Sequence, residues 1–301
     1  MDNATTPAPA GTLPSRNEFD EDSYLFLYPD IAAGVGSGAI DSGWQHFAAH
    51  GFAEGRQWVQ KPDPFAGVPL DISLNDEMFF GNKEHYFDVG ESALHCIETA
   101  LFAARRQKSS IKNILDLPCG HGRVMRFLKK AFPQAQLTAC DLNLDGVAYC
   151  AQAFGAIPVF SRKEIDEIPL PGKFDLIWCG SLLTHFPVEK CVAFLQLFQR
   201  LLLPGGILVF TTHGRGCENG LATGKNKHGL SDGQIARLLG AYRRIGFGYV
   251  DYSSQAEYGF SLCHPSFVTA NFIPGDHCRL LGYHEHGWDK RQDVVFIQKN
   301  F

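Results

Sequence analysis

The chain has 301 residues, 45% of them hydrophobic, which suits one large domain with additions or two small ones. A formal net charge of −5, with no short basic tract, speaks against non-specific nucleic-acid binding, which calls for a basic face. Nine cysteines form no Cys-x-x-Cys pair, so they read as reduced core residues of a cytoplasmic protein, and neither a zinc site nor any other metal is expected.

Residues 1–18 are rich in Thr, Pro, Ala and Gly and are expected to be a disordered tail without signal-peptide character. Residues 19–61 form a small helical module. Tyr24, Leu27, Tyr28 and Ile31 fall at helical spacing, and Trp44, Phe47 and Ala48 lie on a second helix that Gly51 ends. Lys61-Pro62-Asp63-Pro64 is a linker to the main domain, 62–301. There, Asn75 to Gln107 supplies leading helices, one with an apolar face of Leu94, Ile97, Leu101 and Ala104. No apolar stretch approaches the roughly 18 residues of a membrane span.

The core, 111–212, opens with an apolar run, Ile111 to Leu117, that ends on the tight turn Cys119-Gly120-His121-Gly122. A helical pattern follows (Val124, Met125, Phe127, Leu128, Ala131), then a strand, Gln136 to Cys140, ending on Asp141. Strand, glycine turn, helix, strand and acid make the mononucleotide half of a doubly wound sheet. Glycines at 120 and 122 let a ligand approach the backbone and let the helix start close to the strand. The first N–H groups of that helix suit a carboxylate or phosphate. Asp141 stands where an acid accepts both hydroxyls of a ribose. Met125 occupies the place of a third glycine, which breaks the dinucleotide fingerprint, and no Gly-Lys-Ser/Thr closes a Walker loop. Asp116, inside the turn, would repel a phosphate and suits a cation.

Further along, Leu142 to Phe154 is predicted helical with Gly155 as its stop, and Ile157 to Phe160 is a short strand. Lys173 to Cys179 is the next strand, Val188 to Leu203 a helix ending at Pro204-Gly205-Gly206, and Ile207 to Thr212 another strand. An insertion, 213–276, holds a helix from Ser231 to Ile245 with a Ser231/Gln234 capping box, then the aromatic stretches Gly246 to Tyr252 and Tyr258 to Leu262. Such stretches form either an acceptor wall or a packed extra strand. Residues 277–301 carry a hairpin, Cys278 to Tyr283 and Asp293 to Gln298, with Asp289 to Gln292 as its turn.

The run Asp116-Leu117-Pro118-Cys119-Gly120-His121-Gly122 resembles the first motif of class I S-adenosylmethionine-dependent methyltransferases, acid-x-Gly-x-Gly-x-Gly, with Pro118 in place of the first glycine. Phe174-Asp175-Leu176-Ile177 and Leu202-Leu203-Pro204-Gly205-Gly206-Ile207-Leu208 are similar to later motifs of that family. The resemblance implies an α/β fold, a doubly wound, mostly parallel, seven-stranded Rossmann-like sheet, with S-adenosylmethionine as cofactor and S-adenosylhomocysteine as product. It assigns Asp116, Pro118, Cys119, Gly120, Gly122 and Arg123 to the cofactor turn, with His121 beside them, and Asp141 with Leu142 to the second strand end. Ser161 and Arg162 would line the adenine, and Cys179, Gly180 and Ser181 the methionine moiety. Tyr86, Phe87 and Gly90 are candidates to close over it. In the N-terminal module, Tyr28-Pro29-Asp30-Ile31-Ala32, His50-Gly51 and Glu54-Gly55-Arg56 resemble a short helical module found beside bacterial surface-polysaccharide glycosyltransferases. That likeness suggests a glycan acceptor, or a protein partner through residues 19–59.

Methyl transfer is an in-line displacement in which the protein supplies alignment and exclusion of water. A hydroxyl acceptor also needs a general base at the carboxyl edge of the sheet. Asp175 begins its strand and so lies at the wrong edge. His185 follows the fourth strand and His213 the fifth, which makes them the candidate bases. His264, His284 and His286 come from the insertion and hairpin, and Glu218, Asp289 and Asp293 stay open. The expected activity is methylation of a small-molecule or glycan hydroxyl. The rivals are a non-catalytic scaffold on the same fold and a nicotinamide oxidoreductase, against which Met125 argues.

Overall fold

A computed structural model describes residues 12–16, 18–61, 65–253, 257–273 and 277–301. Most of the expected tail and the Pro62-Asp63-Pro64 part of the linker lie outside the described residues. The chain forms two compact units, Met1–Gly67 and Val68–Phe301.

In the first unit, helix α1 (Glu21–Leu27) is capped by Asp20, whose carboxylate accepts the N–H of Ser23 at 2.9 Å. The helical spacing expected through Ile31 is broken at Tyr28, and α2 (Pro29–Gly36) starts afresh. Pro29 is the cause: the residue before a proline is pushed out of the helical region, and Tyr28 has φ −126° and ψ 81°. Helix α3 (Gly43–His46) runs into a π-helical turn, Phe47–Gly51. Phe19, Tyr24, Ile31 and Phe47 form the buried centre, with Trp44 and Trp58 packed on it.

The second unit begins with α4 (Lys83–Ala103), followed by β1 (Asn113–Asp116), α5 (Met125–Ala131), β2 (Gln136–Asp141), α6 (Leu144–Phe154) and β3 (Ile157–Phe160). Then come β4 (Phe174–Cys179), α7 (Val188–Leu201), β5 (Leu202–Thr212), α8 (Arg215–Ala222), α9 (Asp232–Ile245), β6 (Phe247–Asp251), β7 (Gly259–Cys263), α10 (Pro265–Asn271), β8 (Cys278–Trp288) and β9 (Gln292–Lys299). The main sheet has the order β3-β2-β1-β4-β5-β9-β8, parallel from β3 to β5 and antiparallel at β9 and β8. Neighbouring strand residues are buried on opposite faces. Ile114, Leu176 and Val209 pack with α4, α5 and α6, while Leu115, Ile177 and Leu208 pack with α7 and α10. The order reverses between β1 and β4, so a crevice opens outside their carboxyl ends.

Two boundaries differ from expectation. The helix expected to reach Leu203 stops at Leu201, and the following strand starts at Leu202 rather than Ile207. Pro204 cannot extend the helix, and Gly205 takes φ +71°, so the chain turns into the sheet with a register shift against β4. The insertion adds no strand to the main sheet. β6 and β7 make a separate antiparallel ribbon, with its own apolar cluster of Leu238, Leu239, Val250, Phe260 and Leu262 under α9. The hairpin is longer than expected because Trp288 is buried edge-on against Trp178 at 5.3 Å and donates its Nε1–H to the Val89 carbonyl at 2.9 Å.

Candidate active site

At the crevice, Asp116 ends β1 with 1% exposure, and neither carboxylate oxygen has a hydrogen-bond partner. Burial, and then the neighbouring Asp141 charge, push its pKa well above the ordinary value, while Arg123 pulls it back. A buried carboxylate left without a donor is costly, so this place is built for a cation or a strong donor. Asp141, at the end of β2, accepts the N–H of Gly120 at 2.8 Å and of Asn143 at 2.9 Å. A carboxylate has about four acceptor positions, so about two remain. Gly120 has φ +50°, and a side chain built on it would point into open space. These features fit a ligand with an ammonium group and a vicinal diol.

The two turn glycines serve different ends. Gly122 has φ +78°, and a Cβ there would lie 2.3 Å from the ring of Phe154. We expect Gly122→Ala to destabilise the fold by about 2–4 kcal/mol from overpacking plus the left-handed backbone, measured by urea unfolding. Around the turn, His121 is buried and shares a 2.9 Å hydrogen bond with Asp145, which also accepts from Asn75 at 3.0 Å. Arg126, wholly buried, donates to the carbonyls of Pro69 (2.7 Å), Asp71 (2.9 Å) and Gly122 (3.2 Å). It thereby ties the segment before α4 to the turn. Nothing in the local pattern singles out Arg126, because its position on α5 is that of an ordinary surface cation.

The other expected ligand contacts divide into backbone and side chain. The Leu117–Pro118 peptide is cis. Cys119 turns its thiol inward, 3.4 Å from the Gly120 carbonyl, and Cys179 is fully buried in the α7-side core, so both offer backbone only. The Arg123 guanidinium lies 5.7 Å from the Trp288 ring, its pKa lowered by burial. Leu142 is 60% exposed; Ser161 donates its N–H to the Asp141 carbonyl at 2.9 Å, and Arg162 is exposed. After β4, Gly180 packs on Trp178, and Ser181 has φ +57°. Ser181 is held there by Thr211, which accepts its N–H at 2.8 Å, and by Gln292, which donates to its hydroxyl at 3.0 Å. Tyr86, Phe87 and Gly90 lie on α4. Tyr86 and Phe87 are buried, and Gly90 lets α4 approach the Arg123 carbonyl, where a Cβ would lie at 2.4 Å.

The candidate bases come together. His185 ends a short 3₁₀ turn and His213 directly follows β5, with ring centroids 6.3 Å apart. His185 Nδ1 lies 2.8 Å from the Gly259 carbonyl and His213 Nδ1 3.2 Å from the Ser261 carbonyl. A carbonyl oxygen only accepts, so each Nδ1 carries the proton and each Nε2 keeps its lone pair. Burial lowers the pKa of His185, with partial compensation from the Gly259 carbonyl. Burial, then His185 and His228, push His213 down to about 3. His185 is half-buried and stacks on Tyr258 at 4.8 Å, whereas His213 is buried against Phe260 at 4.3 Å. His228, unforeseen in the sequence, packs on Phe260 and His213 from the loop before α9.

The remaining candidates have other duties. Asp175 lies at the opposite edge, accepting the N–H groups of Lys112 and Asn113. Asp293 accepts from the Tyr283 hydroxyl and the His286 N–H, Glu218 pairs with Arg243, and Asp289 with Arg291. His264 caps α10, His284 packs on Phe296, and His286 lies 3.3 Å from the Lys290 carbonyl. All nine cysteines are free and buried. Among the described residues no cluster suited to a metal is formed, and no helix is long and apolar enough to cross a membrane.

Residues 114–206 match the family described as a methyltransferase domain. The chain is 31% identical over 151 residues to a fatty-acid O-methyltransferase of Mycolicibacterium smegmatis, covering 50% of this chain and 48% of the relative. It is 31% identical over 148 residues to a malonyl-[acyl-carrier protein] O-methyltransferase of Enterobacter lignolyticus, covering 48% and 55%. The chain thus spans about half the length of the curated relatives it matches. An amino pentose methyltransferase of Micromonospora echinaspora, solved with S-adenosylmethionine bound, aligns over 70% of this chain and 92% of its own at 15% identity and a TM-score of 0.47. The unit Val68–Phe301 thus has a Rossmann-like sheet, parallel in the order 3-2-1-4-5 and closed by the antiparallel pair β9 and β8, and its residues 114–206 match a methyltransferase domain.

Proposed function

We propose that the protein is an S-adenosylmethionine-dependent methyltransferase that methylates an oxygen of a small molecule. The observation that carries this is Asp116, a buried carboxylate with no partner at the mouth of a glycine turn. In this reading Asp116 holds the cofactor's ammonium, Arg123 its carboxylate, and Asp141 both ribose hydroxyls, while Gly120 gives them room. Leu142, Ser161 and Arg162 border the adenine, and Gly180 and Ser181 the methionine chain. The cofactor, when bound, supplies an electrophilic methyl group. His185 takes the acceptor's proton at Nε2, with His213 as the second candidate.

The two curated relatives named above are O-methyltransferases by name, which supports oxygen as the methylated atom. A glycan hydroxyl as acceptor, a protein partner for residues 19–59 and a cytoplasmic setting are finer readings that rest on sequence resemblance and composition. Calorimetry with S-adenosylhomocysteine tests the whole. We expect binding by the wild type, weakened about 10- to 100-fold in Asp141→Ala, because charge-assisted hydrogen bonds to the ribose are lost. No binding by the wild type, or unchanged affinity in the variant, removes the reading.

A further inference from the structure

Directly beyond β4 the chain holds Ser181 at φ +57°, a conformation that a serine keeps only where its surroundings impose it. A closed circuit of three side chains imposes it here. The Ser181 N–H donates to Thr211 Oγ1 at 2.8 Å, the Thr211 hydroxyl donates to Gln292 Oε1 at 2.6 Å, and Gln292 Nε2 donates to Ser181 Oγ at 3.0 Å. Thr211 fixes the sense of the circuit. It is wholly buried, so its proton needs an acceptor, and only the carbonyl end of the Gln292 amide accepts. The N–H end is thereby turned to Ser181, whose oxygen accepts. The Ser181 proton is left to leave the circuit as a donor to another group.

The neighbours indicate which group. Asp116 on β1 is the register partner of Trp178 on β4, so both side chains leave the same face of the sheet. Gly180 lies against Trp178, where a Cβ would come within 2.8 Å of the indole. Trp178 meets Trp288 edge-on at 5.3 Å, and Trp288 is the register partner of Gln292. The Arg123 guanidinium lies 5.7 Å from the Trp288 ring, and its charge acts on Asp116. The two tryptophans therefore join an acid, a guanidinium and the Ser181 circuit in one neighbourhood. An α-amino-acid end carries one ammonium, which suits Asp116, and one carboxylate. The Arg123 fork can fill about two of the roughly four acceptor positions of that carboxylate, and a hydroxyl fits a third.

We propose that Gln292, a residue of the C-terminal hairpin, is a positioning residue for the cofactor: with Thr211 it aims the Ser181 hydroxyl at the carboxylate of the cofactor's amino-acid end, beside Arg123. This rests on the methyltransferase reading and deepens it. The hairpin then does more than close the sheet. It sets how tightly the cofactor is held at the end remote from the adenine.

The test compares S-adenosylhomocysteine with its decarboxylated counterpart, which keeps the adenosine, the thioether and the ammonium and lacks only the carboxylate. Calorimetry on the full wild-type chain comes first. A wild type that binds neither ligand refutes the methyltransferase reading, and the proposal falls with it; binding without the pattern below refutes the circuit's role alone. Ser181→Ala and Gln292→Met should each weaken S-adenosylhomocysteine about tenfold, in keeping with a lost hydrogen bond to a charged group, and leave affinity for the decarboxylated compound unchanged. The double variant should bind S-adenosylhomocysteine no more weakly than Ser181→Ala alone, because Gln292 acts through that hydroxyl. A circuit that only braces the hairpin would lower both affinities together. Equal losses for the two ligands, losses that add in the double variant, or no loss in either single variant overturns the proposal. Should Gln292→Met fail to fold, Thr211→Val, which removes the anchor and keeps a strand-forming side chain, takes its place with the same expected selectivity.

Discussion

His185→Gln should reduce methyl transfer by about 10²–10⁴-fold while leaving S-adenosylhomocysteine affinity unchanged. The reason is positional: His185 lies beyond β4 with its Nδ1 tied to Gly259, on the acceptor side of the crevice, and it makes no contact with Asp116 or Asp141. Glutamine keeps a polar group of similar length but cannot take up the proton. The pH profile carries a sign. A base must be neutral, so activity is full above its pKa and lost as pH falls through it. Burial lowers the His185 pKa from 6.5, so the acid limb should lie below that value and be absent from the variant's residual rate. Initial rates with labelled cofactor between pH 5 and 8, about the range in which imidazoles titrate, check both points. Full activity in the variant would leave His213 as the base.

Asp116→Asn should act in opposite directions on stability and binding. In the ligand-free chain Asp116 is a buried carboxylate with no donor, so removing the charge should leave the fold at least as stable, read by thermal unfolding. The ammonium partner is lost at the same time, and affinity for S-adenosylhomocysteine should fall about 100-fold or more, in keeping with the penalty for breaking a buried ion pair. The linkage sign follows from the raised pKa. For an acid whose folded pKa lies above the unfolded one, its contribution to stability is present below the ordinary carboxylate range and is lost as pH rises through the folded value. A bound ammonium favours the ionised form. Cofactor affinity should therefore weaken as pH falls through that raised value in the wild type and respond less in Asp116→Asn, a comparison calorimetry can make. A stable variant that binds as the wild type does would place the cation elsewhere.

Local chemistry was readable without coordinates where one short segment carries the whole cause. The Ser231/Gln234 capping box forms with both of its hydrogen bonds, and Gly155 ends its helix at φ +67°. The turn glycines take positive φ, and Asp141 points back at the turn through the Gly120 N–H. The break at Pro29 was equally local, but the apolar spacing across it concealed it. The start of β5 was less legible, since Leu202 and Leu203 continue a helical stripe until pairing with β4 claims them.

Residues that act through distant partners were not legible. Arg126 is a buried anchor only because carbonyls more than fifty positions earlier in the chain converge on it. The burial of Tyr86 and Phe87 was equally hidden, since it comes from the packing of α4 and from the Tyr86 hydroxyl donating to Asp76. From the sequence alone came the parallel sheet, the glycine turn, and the two acids at strand ends. Each follows from spacing along a few tens of residues and from the alternation of strand and helix. The tertiary structure decided which histidines meet, which ring nitrogen carries the proton and which of the two is accessible. Those depend on hydrogen bonds from His185 and His213 to carbonyls 74 and 48 positions away, which exist only once β7 is packed against the carboxyl edge of the sheet.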